Sequence, residues 1–183
     1  MSIFVDQATN LRVNINAPYK GRSRLDTPEI RAELGVIEIA EPTPPADYSD
    51  DLYYRTEQDA APYVVYTKKS DEQIAAVRWN RIKAKRDELT DNGGVLVSGK
   101  WFHTDTKSKQ QQMALTMLGA SIPASLQWKT MDGSFITMTQ TLAGQLFGAQ
   151  IAREQAVFAH AEALKADPNA DINAGWPARY EAV

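Results

Sequence analysis

The sequence contains no cysteine. That excludes disulfides, thiolate nucleophiles and cysteine-ligated zinc. It also favours synthesis in the cytosol, since small secreted domains usually depend on disulfides. Histidine is scarce: His103 and His160 fall on different expected elements without metal-ligand spacing, so no metal site is expected. No apolar run approaches the ~20 residues needed to span a bilayer. The start, Met1-Ser2-Ile3-Phe4-Val5-Asp6, has no basic segment and reaches an acid early, unlike a signal peptide. A basic excess is missing too, with 20 Lys and Arg against 23 Asp and Glu and a formal net charge of -3. Nucleic-acid binding normally needs the opposite balance. Nucleophile-elbow, P-loop and dinucleotide fingerprints are lacking. The composition thus leads us to expect a soluble protein with no cofactor.

What is present is ordinary for a globular chain. In 183 residues, 43% are hydrophobic and 23% charged, enough for one medium domain or two small ones. The expected class is α+β: a β-rich N-terminal module, a helix–hairpin–helix–hairpin–helix module, and an extended tail. The first module covers residues 1–69. Leu11–Asn16 alternates apolar and polar, the period of a half-buried strand. Ile3-Phe4-Val5 is a short apolar run, and Val36–Ile39 is a second strand candidate. Thr27-Pro28 can open a short helix, with Thr27 as cap and Pro28 where its missing N–H costs nothing. A proline-rich connector at 41–47 suggests a spacer between separately docked parts. Leu52–Arg55 and Tyr63–Tyr66 read as a hairpin.

The second module covers residues 70–167. Ser70 and Gln73 form a capping box for a helix to about Thr90. Ser98-Gly99 turns one hairpin, and Thr104 or Asp105 caps a helix to about Leu118. Asp132-Gly133 turns a second hairpin. The two hairpins could share one small antiparallel sheet. Thr139 caps a long helix to about Lys165, whose apolar stripe is Leu142, Leu146, Phe147, Ile151, Val157, Phe158, Ala161 and Leu164, interrupted by Gln150 and Glu154. Residues 168–183 form a polar tail.

Several separated elements carry a family likeness. These are Arg86-Asp87, Gly93-Gly94-Val95, Trp101-Phe102-His103-Thr104-Asp105, Ser108, Pro123, Trp128, Asp132-Gly133, Thr139 and Leu142. In this order the segment from Arg78 to Lys165 resembles the phage-associated family known as domain of unknown function 4376. The stretches Asn16–Gly21 and Arg24–Ile30 also look like the front of small phage tail proteins. The resemblance implies a place in tailed phages and prophages, near tail-fibre genes, and brings no catalytic residues with it.

The acidic groups Asp50-Asp51, Asp87-Glu88 and Glu57/Asp59 do not offer two carboxyls held ~5–10 Å apart across a cleft, as glycoside hydrolysis requires. His103 reads as a hairpin-to-helix junction residue. Trp101, Phe102, Trp128 and Phe135 read as core against the helices. The basic cluster Arg78, Arg81, Lys83, Lys85 and Arg86 reads as a solvated face or a contact with an acidic neighbouring subunit. Trp176-Pro177 and Tyr180 stand in a polar tail with no evident core to join. They are therefore expected to dock on a neighbouring subunit, because aromatics are favoured interface anchors. The expected partner-interface residues are Trp176, Pro177, Tyr180, Arg78, Arg81 and Lys85.

The expected function is a non-enzymatic structural protein of a phage tail, in the tail fibre, tail tip or baseplate, located in the virion and working by protein–protein contacts. Its expected partners are other tail subunits in a symmetric assembly or homo-oligomer, with no nucleic acid and no membrane. One alternative is a tail-fibre assembly chaperone absent from the virion. Another is a binder of host-surface glycan.

Overall fold

The computed structural model describes residues 2–182. Among them the chain is a mixed α and β protein with four helices and four two-stranded antiparallel sheets. It divides into two compact units, Met1–Ile74 and Ala75–Val183.

In the first unit β1 (Ser2–Asp6) pairs with β2 (Val36–Ala40), setting Val5 opposite Ile37. Both faces of β1 are covered, which is why its sequence is a continuous apolar run. Ile3 and Val5 pack on Tyr63 and Val64. Phe4 joins Val13, Leu25 and Val36. Between these strands lies α1 (Pro28–Glu33), where the Thr27 side chain accepts from the Ile30 N–H.

Leu11–Asn16, expected to be a strand, is not one. Arg12 bridges Val5, and Leu11 bridges Ala60. The ladder cannot lengthen because the chain turns on both sides. Asn10 takes φ 59, and the Asn14 side chain accepts from the Asn16 N–H. The preceding turn is pinned by Asp6, which is 1% exposed. Asp6 accepts from the N–H groups of Ala8 and Thr9, the Tyr19 hydroxyl and Lys20. Lys20 and then Tyr19 hold its carboxyl well below the usual carboxylate range.

The hairpin β3 (Tyr53–Glu57) and β4 (Val64–Lys68) sets Arg55 opposite Tyr66. The proline-rich segment is no spacer between units, because both its flanks belong to this one. Glu41 at its start accepts from Arg55 at 2.8 Å and Tyr66 at 2.7 Å. Asp47 at its end accepts from the Tyr53 hydroxyl at 2.8 Å. Arg55 first, then Tyr66, lowers the Glu41 pKa from 4.5 to about 2. The charged carboxylate is therefore favoured in the folded unit. Its stabilising contribution is complete above the ordinary value and is lost as the pH falls through about 2. Glu41→Gln should flatten the acid limb of the first unit's stability across that window. Thermal melts at stepped pH check this, and an unchanged slope would refute it.

The second unit begins inside α2 (Asp71–Asn92), whose start carries the reciprocal Ser70–Gln73 bonds. Then come β5 (Val95–Val97) and β6 (Lys100–Phe102), joined by Ser98 and Gly99 at φ 50 and φ 74. Two successive left-handed residues match the twist of a tight hairpin. Next are α3 (Thr106–Leu118), capped by Asp105, and the hairpin β7 (Gln127–Lys129) with β8 (Phe135–Thr137). The last element is α4 (Gln140–Ala166), capped by Thr139.

The hairpins do not merge into one sheet. They are separate ribbons linked where the Met131 N–H donates to the Trp101 carbonyl at 2.9 Å. What meets β6 there is the turn of the second hairpin, not a strand edge. The core between them holds Val95, Val97, Phe102, Leu115, Met138, Leu142, Ala143 and Leu146. Phe102 is fully buried, Trp101 and Trp128 are half-buried, and Phe135, expected in the core, is 62% exposed.

The buried face of α4 also differs from expectation. It runs through Leu142, Ala143, Leu146, Gln150, Val157, Ala161 and Leu164, while Phe147, Ile151 and Phe158 face outward. Gln150 belongs inside because it donates to Gln112 of α3, and Gln112 in turn donates to the His103 carbonyl at 3.1 Å. Gln150→Leu alone strands the Gln112 carbonyl and should cost about 1–3 kcal/mol. The double change Gln112→Leu with Gln150→Leu should recover most of that loss, because the exposed His103 can hand its carbonyl to water. A denaturant double-mutant cycle measures the coupling, and simple additivity would contradict a paired role.

Candidate interaction surface

The tail was expected to have no core of its own to join. The structure supplies one. Trp79 and Ile82 on α2 and Ala161 and Leu164 on α4 leave an apolar seam, which Ala170, Ile172 and Trp176 cover. The chain reverses onto it through two turns, in which Asp167 accepts from the Asn169 N–H and Asp171 from the Asn173 N–H, each at 2.9 Å. The Trp176 indole donates to the Ile172 carbonyl at 2.8 Å and meets the His160 ring edge-on at 4.7 Å. Gly175 lies between them at φ 79, and a Cβ there would come within 2.7 Å of the His160 ring. Both the backbone angle and the space call for glycine.

Farther on, the Tyr180 N–H donates to the Gly93 carbonyl at 2.8 Å, and the Tyr180 ring lies 6.3 Å from Trp101. Arg153 donates to the carbonyls of Leu89 and Ala178 at 3.0 and 3.1 Å, and burial pushes its pKa down. A Cβ on Gly93 would meet that guanidinium at 2.3 Å. Gly93 therefore does more than help stop α2: it makes room for the arginine that ties α4 to the tail, while Gly94 makes room for Met131 and Trp101.

The basic cluster is largely used inside the same unit. One guanidinium nitrogen of Arg78 donates to the carbonyls of Leu164, Asp167 and Ala170 at 3.3, 3.0 and 2.7 Å. It thereby satisfies the open carbonyl end of α4. Lys85 pairs with Glu88 at 2.7 Å, and Arg179 reaches Glu88 at 2.8 Å. Lys85 first, then Arg179, lowers the Glu88 carboxyl pKa. Arg86 pairs with Asp87 and lies 4.7 Å over the Phe158 ring. Arg81 is exposed on α2.

Lys85, Trp176 and Pro177 line one shallow groove between α2 and the tail. The structure thus gathers most of the expected interface residues, but around contacts within the chain. The acidic groups are likewise engaged: Glu57 pairs with Arg12 at 2.5 Å and Arg55 at 2.7 Å, and Asp50 accepts from the Tyr48 hydroxyl. His103 is exposed beside the Asp105 cap. Among the described residues no three His, Asp or Glu side chains converge as a metal site, and no helix is long and apolar enough to cross a membrane.

The exposed apolar surface lies elsewhere. Met113 on α3 and Phe147 and Ile151 on α4 line one groove, rimmed by Lys109 and Glu154 at 2.5 Å from each other. Met117, one turn beyond Met113, is 82% exposed. Sequence reasoning missed this face by assigning Phe147 and Ile151 to the buried stripe. The interruption at Gln150 and Glu154 was the available signal that two faces were superimposed.

No curated protein and no solved structure matches the chain. A family model described as domain of unknown function (DUF4376) matches residues 73–182, which spans the tail as well as all three helices and both hairpins of the second unit. The chain belongs to the DUF4376 family.

Proposed function

We propose that the chain is a non-enzymatic structural component of a phage tail that works through protein–protein contacts. The reading rests on the phage setting that the resemblance to the DUF4376 family implies, the family itself being one of unknown function. The exposed Met113, Met117, Phe147 and Ile151 lend it support, because contiguous exposed apolar surface is typical of sites that meet another protein. Its partners are other tail subunits in the fibre, tip or baseplate, and its place is the virion.

The test is quantitative mass spectrometry of purified particles against the major tail protein. A fixed stoichiometric presence is the expected result. Absence from particles, combined with fibreless particles when the gene is deleted, would replace this reading with that of an assembly chaperone. Specific retention on a host polysaccharide by an otherwise particle-free protein would favour the glycan binder.

A further inference from the structure

Two glycines on α4 have no role inside the chain. Gly144 and Gly148 lie in mid-helix, where glycine costs about 1 kcal/mol relative to alanine. Yet no atom stands within 4 Å of where a Cβ would project at either position. Their neighbours on the same face are the opposite case, large side chains left in solvent: Phe147 at 40% and Ile151 at 44% exposed. Met113 of α3 lines the same groove, and Met117, exposed one helical turn beyond Met113, continues that edge of α3.

We propose that a second copy of this chain docks here, with its α4 antiparallel to the first across a twofold axis between residues 147 and 148. That register is set by the sequence positions themselves. An antiparallel copy about this axis places Phe147 over the partner's Gly148 and Ile151 over the partner's Gly144, and the symmetry repeats both contacts. Each bulky side chain enters the gap left by a missing one, so the two helices can approach closely. A self-complementary patch of this kind is what a twofold interface requires.

Charge and area agree with a second copy. From Gln140 to Ala152 the helix bears no charged residue, so two copies of a net acidic chain meet without like-charge contact. At the rim Lys109 and Glu154 already neutralise each other. The four apolar side chains leave on the order of 400 Å² exposed, a fitting centre for a contact of ~800 Å² per partner. Dimerisation is independent of the phage-tail reading and would stand if that reading failed.

Sedimentation equilibrium of the full chain over a dilution series tests this. The wild type is expected to reach a dimer. Gly148→Gln removes the gap while improving helix propensity, and Ile151→Glu charges the contact. Each should weaken the dimer at least ~30-fold, the effect of losing a central packing contact, with helical circular dichroism retained. Met117→Glu, at a position too exposed to affect folding, should weaken it in the same direction and keeps the test valid if another variant misfolds. A wild type that stays monomeric, a trimer or higher assembly, or folded variants with wild-type dissociation would each overturn the proposal.

Discussion

Phe102→Ala is expected to destabilise the Ala75–Val183 unit by about 3–5 kcal/mol, the range for truncating a fully buried phenylalanine. The side chain has no exposed surface. It ends β6 within the cluster where β5 meets Leu115 of α3 and Leu142 and Leu146 of α4. Those neighbours come from three elements, so the cavity cannot close by moving one of them, and the cost should fall high in the range. The four tryptophans, Trp79, Trp101, Trp128 and Trp176, all lie in this unit. Tryptophan fluorescence during denaturant unfolding therefore reports it without interference from the first unit. Phe135→Ala is the matched control, because Phe135 is 62% exposed and should change stability by no more than ~0.5 kcal/mol. Equal effects for the two variants would mean that the core is wrongly located.

The second large effect concerns the tail. Deleting residues from Pro168 onward should lower the melting temperature of the second unit by roughly 10 °C or more, since about 1 kcal/mol moves a domain of this size by several degrees. The deletion uncovers Ile82 and Leu164, takes from Arg78 the Ala170 carbonyl, and leaves the Gly93 carbonyl without the Tyr180 N–H. Trp176→Ala should give part of that loss, about 2 kcal/mol, because the indole is only half-buried. Full-length and shortened chains compared by differential scanning calorimetry settle the matter. A shortened chain with the same second-unit transition would mean that the tail is not part of this fold.

The elements most legible in the sequence were those determined within a few residues. Thr27 before Pro28, the Ser70–Gln73 box, the Asp105 cap and the Asp132-Gly133 turn each close hydrogen bonds with near neighbours. Local chemistry decides such features, so local sequence reveals them. The misreadings all depended on distant partners. Leu11–Asn16 alternates like a strand but finds no extended ladder. Gln150 looks like a flaw in an apolar stripe until Gln112, 38 residues away, takes its amide. The stripe of α4 merged two faces because Phe147 and Ile151 are as apolar as Leu142 and Leu146, and periodicity alone does not say which set is covered.

The candidate site was half legible for the same reason. Trp176 and Tyr180 were recognisable as anchors, since large aromatics in a polar tail require a surface to rest on. Whose surface could not be read locally, because the contacts that answer it join Arg78 to Ala170 and Glu88 to Arg179 across 92 and 91 residues. The exposed face of α3 and α4 escaped notice because Phe147 and Ile151 had already been given an inward role and no face had been read for α3.

Those long separations bear on how the protein is made. A ribosome releases α2 first and the tail last, so the seam of Ile82, Ala161 and Leu164 stays bare until the residues around Trp176 have left the exit tunnel. Contacts this distant in sequence form slowly and leave apolar surface open meanwhile. Nascent chains that still hold the Trp176 segment inside the tunnel would therefore be sticky and sensitive to protease, and its emergence would make them resistant.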